Sequence, residues 1–316
     1  MTALAIDLGG TKLSLAVFTE EGNVLLKRTI ALAKREGKEV GNLIAEEIQR
    51  LLKSRHNIQS IGIAVPGIYR NKTGTVWAPN IKGWDDFPLL QQIQPTTALP
   101  VTIDSDRAAY ILGESWMGNA KGCINAIYLA IGTGIGAGIL MNGKILGGEH
   151  DIAGAIGWMA LHQPFDEKYI PCGCFEYHAS GEGIANLARE VLSNADEYNG
   201  ILFQKKAEDL TSYDVFAAYK QNDIIAKKVF GICIRFWGMA VANLVSLFNP
   251  EKIILGGGIF GPAVQFIPGI IEEATKWAQP ISMKQVSVEA SSLGNDAGLY
   301  GAGWLAWQHI RNKSGT

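Results

Sequence analysis

Asp7 stands at the entrance and Lys12 at the exit of the turn Gly9-Gly10-Thr11-Lys12 within LAIDLGGTKLSLAVF, residues 4–18. Two glycines let the backbone approach a ligand, and successive N–H groups in such a turn cradle phosphate oxygens. A carboxylate repels phosphate, so the natural use of Asp7 is to hold Mg²⁺, directly or through water, beside phosphates drawn to the turn and to Lys12. By itself the motif reads equally well as a tight hairpin with a chance acid and base, because short glycine motifs recur without function. Two further groups could do chemistry. Asp104, Ser105 and Asp106 follow a short apolar run, and Gly256-Gly257-Gly258-Ile259-Phe260-Gly261 follows another.

The pattern of apolar residues predicts the elements that position these groups. Residues 4–8 and 13–18 form a hairpin, 24–30 a third strand, and 40–53 a helix with Leu43, Ile44, Ile48, Leu51 and Leu52 at helical spacing. A strand over 58–65 ends at Pro66-Gly67, the kind of strand terminus where ligands of open α/β sheets bind. In WAPNIKGW, Asn80 caps a turn or binds a ligand hydroxyl. A strand over 99–103 delivers Asp104, Ser105 and Asp106 to the start of a helix reaching about residue 117; two acids and a Ser there are also what capping selects.

Residues 126–140, AIYLAIGTGIGAGIL, repeat the opening architecture, with Gly132-Thr133-Gly134 in the place of Gly9-Gly10-Thr11 and no acid. The repeat signals an internal duplication. Two such lobes, each presenting a glycine turn to a central cleft, would grip one polyphosphate. Residues 144–158 read as irregular, 224–248 as a long helix, and 252–255 as a strand. The G-x-G-x-x-G that follows, with Glu289 on the next strand, also fits a dinucleotide fingerprint. A nicotinamide-dependent dehydrogenase is therefore a competing reading. It explains neither DLGGTK nor the duplicated hairpin, and no further strand–helix units complete its sheet.

The 316 residues suffice for two domains, and 47% hydrophobic with 18% charged residues is an ordinary globular balance. A formal charge of −2 offers no basic face for nucleic acid. The apolar segment 229–248 contains Arg235, Asn243 and Ser246, which predicts a buried helix and no membrane role. The N-terminus has no basic region followed by an apolar run, so a cytoplasmic location is expected. Four cysteines make no disulfide framework, and Cys123 and Cys233 read as small buried apolar residues.

AIDLGGTK, VPG, PNIKGW, SDRAA, AIGTGIGAGI, FEYHASG, ILGGGI and LGNDAGLYGA stand in the order seen in bacterial sugar kinases of the ROK family, which the chain resembles over nearly its whole length. The resemblance implies an α/β, two-lobed actin-like (ribonuclease-H-like) ATPase fold with a duplicated β-meander-plus-helix core. It places an N-terminal lobe at 1–118, with a helix at about 297–316 packing back on it, and a C-terminal lobe at 119–296. It implies phosphorylation of the 6-hydroxyl of a hexose, amino-hexose or modified hexose by ATP with Mg²⁺. Asp106 matches the general base; one base and one metal suffice, because phosphoryl transfer needs mainly placement and charge neutralisation. Asp7 would organise Mg²⁺, Gly9, Gly10, Thr11 and Lys12 with Gly132, Thr133 and Gly134 would surround the phosphates, and Gly256, Gly257 and Gly258 would lie against adenosine. Gly67, Asn80 and Glu176 match sugar-contacting positions, and a homodimer is common in the family.

Three departures bear on the substrate. Ser105 stands where the family commonly has Asn before the base. Ala155-Ile156-Gly157-Trp158 replaces a common Glu-Ile-Gly-His, so sugar hydroxyls lose partners, and Trp158 would stack on an apolar sugar face or fill the pocket. Ordinary glucose is therefore expected to be a poor substrate. Of the family's zinc-binding cysteines only Cys172 and Cys174 remain as a residual site, which His162 and His178 could complete; structural Zn²⁺ is not expected, and His178 reads as an ordinary polar residue on a helix. A ROK protein that binds sugar as a catalytically impaired regulator is the alternative function. Retention of Asp106 and both phosphate turns favours an enzyme.

Overall fold

Strand β1 (Thr2–Leu8) alternates small and large side chains. Ala3 and Ala5 enter one apolar cluster, while Leu4, Ile6 and Leu8 enter another on the opposite face. The same period puts Asp7 on the alanine face. In the computed structural model, which describes residues 1–54, 56–195 and 198–314, this strand is the centre of the first of two five-stranded sheets.

The elements follow in chain order. After β1 come β2 (Lys12–Phe18), β3 (Val24–Ala31), α1 (Lys38–Leu52), β4 (Ile58–Val65), the hairpin β5 (Ile68–Arg70) and β6 (Thr75–Trp77), α2 (Leu89–Ile93), β7 (Val101–Ser105) and α3 (Asp106–Met117). Next are β8 (Ala126–Ile131), β9 (Ile135–Met141), β10 (Lys144–Ile145), α4 (Cys174–Ala179), α5 (Gly181–Ser193), α6 (Ser212–Lys220) and α7 (Ile224–Phe248). The chain ends with β11 (Lys252–Gly256), α8 (Ile267–Trp277), α9 (Pro280–Met283), β12 (Ser287–Ala290) and α10 (Ala297–Ser314).

The first sheet has the order β3-β2-β1-β4-β7 and the second β10-β9-β8-β11-β12. Relabelled from the first strand of each, both read 3-2-1-4-5, so the duplication seen in the two glycine hairpins extends to whole sheets. In the first sheet β1 and β2 pair antiparallel, and β1, β4 and β7 run parallel.

By contact density the chain divides into two units. The first comprises Met1–Ile124, Gly138–Gly154 and the chain from Ser291 onward; the second comprises Asn125–Ala137 and Ala155–Ala290. In the first unit, α1 covers the large-residue face of the sheet with Val40, Leu43, Ile44, Ile48 and Leu51. Helices α3 and α10 lie over the small-residue face. Their backbones nearly touch: a Cβ at Gly301 would stand 1.8 Å from the Ala109 carbonyl oxygen, which only glycine permits. On β4, Ser60 and Gly62 belong to this face as well, and the Ser60 hydroxyl donates to the Ala306 carbonyl at 2.9 Å. Small residues therefore bring α10 close enough for its first turn to reach Asp7.

In the second unit α7 occupies the middle of a helical layer, packed on α4, α5 and α8. It has the length and hydropathy of a membrane span, yet Val229, Phe230, Cys233, Phe236, Trp237, Val241 and Val245 are all buried, and Trp237 Nε1 donates to the Ala179 carbonyl at 3.0 Å.

Several expectations need correction. The strand placed at 99–103 runs Val101–Ser105, so Asp104 and Ser105 sit on β7 and only Asp106 starts the helix. The irregular stretch at 144–158 contains β10 and a 3₁₀ turn at Ile156–Trp158. Cys123 is half-buried, whereas Cys233 is buried as expected. Glu289, the candidate ribose acid of the dehydrogenase reading, pairs with Lys252 at 2.9 Å and accepts from Ser287 at 2.7 Å. That pairing joins neighbouring parallel strands β11 and β12 and gives Glu289 a structural use.

Candidate active site

The DLGGTK turn closes through one bond, Gly9 N–H to the Lys12 carbonyl at 2.9 Å. The N–H groups of Gly10 and Thr11 donate to no acceptor among the described residues, and the Lys12 ammonium makes no ion pair there. A turn that keeps its donors and a cation free has the composition of an anion site. Asn80 lies against it, its Nδ2 2.8 Å from where a Cβ on Gly10 would be. Of the two tryptophans that flank Asn80 in WAPNIKGW, Trp77 is exposed and Trp84 is buried, with Nε1 donating to the Gly37 carbonyl at 2.9 Å.

Beside this turn, Asp7 carries a carboxylate without a hydrogen bond or ion pair to any described residue. Burial, then the charges of Asp106 and Asp296, push its pKa up to about 7 against the pull of Lys12. A Cβ at Gly298 on α10 would stand 3.0 Å from that carboxylate. A crowded acid with no partner, next to free backbone N–H groups and an unpaired ammonium, fits a divalent cation carried with an anion.

Asp106 is the first residue of α3. Ser105 caps the helix, its Oγ accepting from Ala108 N at 3.2 Å, and its hydroxyl also bonds Asp104. Ser105 is thus committed to positioning the helix. One oxygen of Asp106 accepts from Arg107 N at 2.8 Å and the carboxylate also bonds Tyr110. Burial pushes its pKa up to about 6, opposed by Arg107 and these hydrogen bonds. Asp104 is raised to about 6 for the same leading reason. The Gly67 carbonyl accepts a long bond from the Arg107 guanidinium, 3.4 Å. Asp7, Lys12, Gly67, Asn80, Ser105 and Asp106 are therefore one neighbourhood of the first unit, with Asp104 beside them, and Arg107 and Asp296 join it although the sequence carried no signal for these two.

The second unit holds its own glycine turns. Gly132 N donates to the Gly134 carbonyl at 2.9 Å, leaving Thr133 and Gly134 N–H without acceptors among the described residues. Glu176 on α4 accepts from Ile135 N at 2.6 Å, so it braces this turn; burial raises its pKa. Gly257 has φ +88°, and a Cβ there would lie 2.4 Å from the Ile131 carbonyl, so only glycine lets the late turn pack against β8. Gly256 ends β11, and nothing lies within 4 Å of a Cβ built on Gly258. A cavity of about 240 Å³ opens between these turns, lined by Gly132, Thr133, Gly181, Glu182, Tyr213 and Gly258 among others. A larger hollow of about 630 Å³ lies under the 161–169 segment and touches neither turn.

Trp158 is 58% exposed, so it fills no pocket within its unit and leaves its ring free for an apolar face. The residual zinc set does not assemble. The Cys172 thiol turns to the Gly173 carbonyl, and His162 and His178 both face the Tyr169 hydroxyl, at 3.4 and 3.0 Å. Among the described residues no three His, Cys, Asp or Glu side chains gather to hold a metal. His178 is on a helix as expected, but it is buried, and burial pushes its pKa down to about 4.

The paired 3-2-1-4-5 sheets with a phosphate-type turn in each define an actin-like, ribonuclease-H-like ATPase fold. Residues 3–309 match the ROK family, and the chain belongs to it. It is 35% identical to a glucokinase of Halalkalibacterium halodurans, covering 96% of this chain and 94% of that one. It is 28% identical to a beta-glucoside kinase of Listeria monocytogenes, covering 96% of each. A ROK family glucokinase from Streptomyces griseus, solved in complex with glucose and AMPPNP, superposes with a TM-score of 0.78 at 27% identity, over 98% of this chain and all of that one.

Proposed function

We propose that the chain is an ATP-dependent carbohydrate kinase that transfers the terminal phosphoryl group to the 6-hydroxyl of a hexose, amino-hexose or modified hexose. The observation that carries this reading is the unpartnered Asp7 carboxylate beside Asp106, under a turn whose N–H groups and Lys12 are free. Asp106 takes the proton of the attacking hydroxyl. Its hydrogen bonds from Arg107 N and Tyr110 fix the carboxylate while leaving acceptor capacity for that proton. Asp7 would hold Mg²⁺, which when bound neutralises charge on the phosphates. Gly10, Thr11 and Lys12 bind phosphate oxygens in the first unit, and Thr133 and Gly134 do so in the second. Gly256, Gly257 and Gly258 border the adenosine, with Gly132 beside them.

Gly67, Asn80, Glu176 and Trp158 contact the sugar in this reading, and Ser105 acts through α3. The substrate side lacks the Glu and His common in the family at 155 and 158, so hydroxyls that those groups would bind go unpartnered. We expect glucose to be used at least about 10²-fold less efficiently than the best of a panel of hexoses, amino sugars and glycosides. ADP release across the panel measures this, and rapid glucose phosphorylation would overturn it. Binding of sugar and ATP without turnover on any member would favour a regulatory protein instead. We also place the enzyme in the cytoplasm as a homodimer, following its family; cell fractionation and light scattering test the two statements.

A further inference from the structure

We propose that Tyr213 stacks on the adenine of the phosphoryl donor and supplies much of the nucleotide affinity of the second unit, an inference that rests on the kinase reading. Tyr213 is 77% exposed and, among the described residues, makes no hydrogen bond or ring contact. Single exposed aromatics are common. This one differs in lining the cavity that the two glycine turns border, together with Ile259 and Gly181.

The backbone beneath the ring is held firmly. Thr211 caps α6 in a reciprocal box with Asp214, Thr211 N donating to Asp214 Oδ2 at 2.8 Å, and Lys205 pairs with the same carboxylate at 2.7 Å. The first turn of α6 is fixed while the Tyr213 ring has no partner of its own, so little order is lost elsewhere when a ligand covers it.

The lining also sets which end of a nucleotide fits. It contains no Lys or Arg, and its one carboxylate, Glu182, pairs with Arg189 at 3.1 Å. Such walls suit an uncharged nucleoside better than its phosphates, for which the free N–H groups of Thr133 and Gly134 lie at the neighbouring turn. Ile259 gives the cavity a second large apolar side chain, so a flat base finds apolar surface there as well as at Tyr213. Stacking needs no base-edge partner, because every base has a π-face.

The test compares Tyr213→Ala and Tyr213→Phe with the wild-type enzyme, using ATP and the best sugar of the panel. Tyr213→Ala should raise KM for ATP about tenfold or more, with kcat and the sugar KM near normal. Tyr213→Phe should keep the wild-type KM for ATP. The side chain is exposed and unbonded, so neither variant should lose the fold, and circular dichroism checks this. An unchanged KM for ATP in Tyr213→Ala would overturn the proposal. If no sugar is phosphorylated, calorimetric titration with ATP separates the two ideas. Weaker ATP binding by Tyr213→Ala then supports the stacking while the kinase reading fails, and a wild-type protein that binds no ATP overturns both.

Discussion

Asp106→Asn is expected to lower turnover by about 10²-fold or more while ATP binding stays within a few-fold of wild type. The substitution is nearly isosteric. Asn keeps an oxygen for Arg107 N, and the Tyr110 hydroxyl can accept from the new amide where it formerly donated, so α3 should start as before. What is lost is the capacity to take a proton. The pH profile offers a second reading of the same role. Burial raises Asp106 to about 6, and the base works only when ionised, so with Mg²⁺ saturating, which keeps Asp7 ionised, kcat/KM of the wild-type enzyme should fall about tenfold per pH unit below about 6. The residual activity of the variant should lose that limb. Near-normal turnover in Asp106→Asn would remove Asp106 from the chemistry.

Asp7→Asn should be the other severe lesion, with turnover reduced by about 10²–10³-fold or more and the dependence on Mg²⁺ altered. Here activity and stability should move in opposite directions. The Asp7 pKa is raised from its ordinary value to about 7, so the folded state binds more protons than the unfolded chain between about pH 4 and 7. The stability this protonation contributes is present below about pH 4 and lost as pH rises through about 7. Asn resembles the protonated acid at every pH. The variant should therefore melt higher than wild type at pH 8 in the presence of a chelator, and the two should converge near pH 4. Mg²⁺ with ATP should raise the melting temperature of wild type more than that of the variant. Equal melting at pH 8, or full activity, would show that Asp7 is not a crowded acid waiting for a cation. Both experiments address one cluster, so the double variant is not expected to be additive.

Local features were legible because a hairpin or a helix start is fixed by residues within a few positions of one another. The glycine turns at 9–11 and 132–134 each join two consecutive strands, as their composition indicates, although β2 begins at Lys12, one residue earlier than expected. The duplicated turns anticipated the matched sheet orders. Asp106 begins its helix where a Ser and an acid mark one, although the boundary of β7 slipped by two residues because Asp104 and Ser105 continue the pairing with β4.

Contacts across long stretches of chain were not legible. The acidity of Asp7 depends first on its burial and then on the charges of Asp106 and Asp296, which β7, α3 and the approach to α10 bring beside it, and no local pattern in DLGGTK encodes that. Glu289 read as a ribose acid until its strand neighbour Lys252 was known. Glu176 matched a sugar position by resemblance, and only the fold shows that it accepts from Ile135 N and braces the 132–134 turn. The dispersed cysteines and histidines could be assigned only once His162 and His178 were seen around Tyr169. Tyr213 carried no signal, since an exposed tyrosine at the start of a helix is unremarkable until the cavity beside it is known. The sequence by itself determined the two glycine hairpins and the carboxylate at the head of α3, because short-range geometry and side-chain chemistry suffice for them. Tertiary packing decided the charge state of Asp7, the partners of Glu176 and Glu289, and the wall of the cavity beside Tyr213, because those properties arise from groups that only folding brings together.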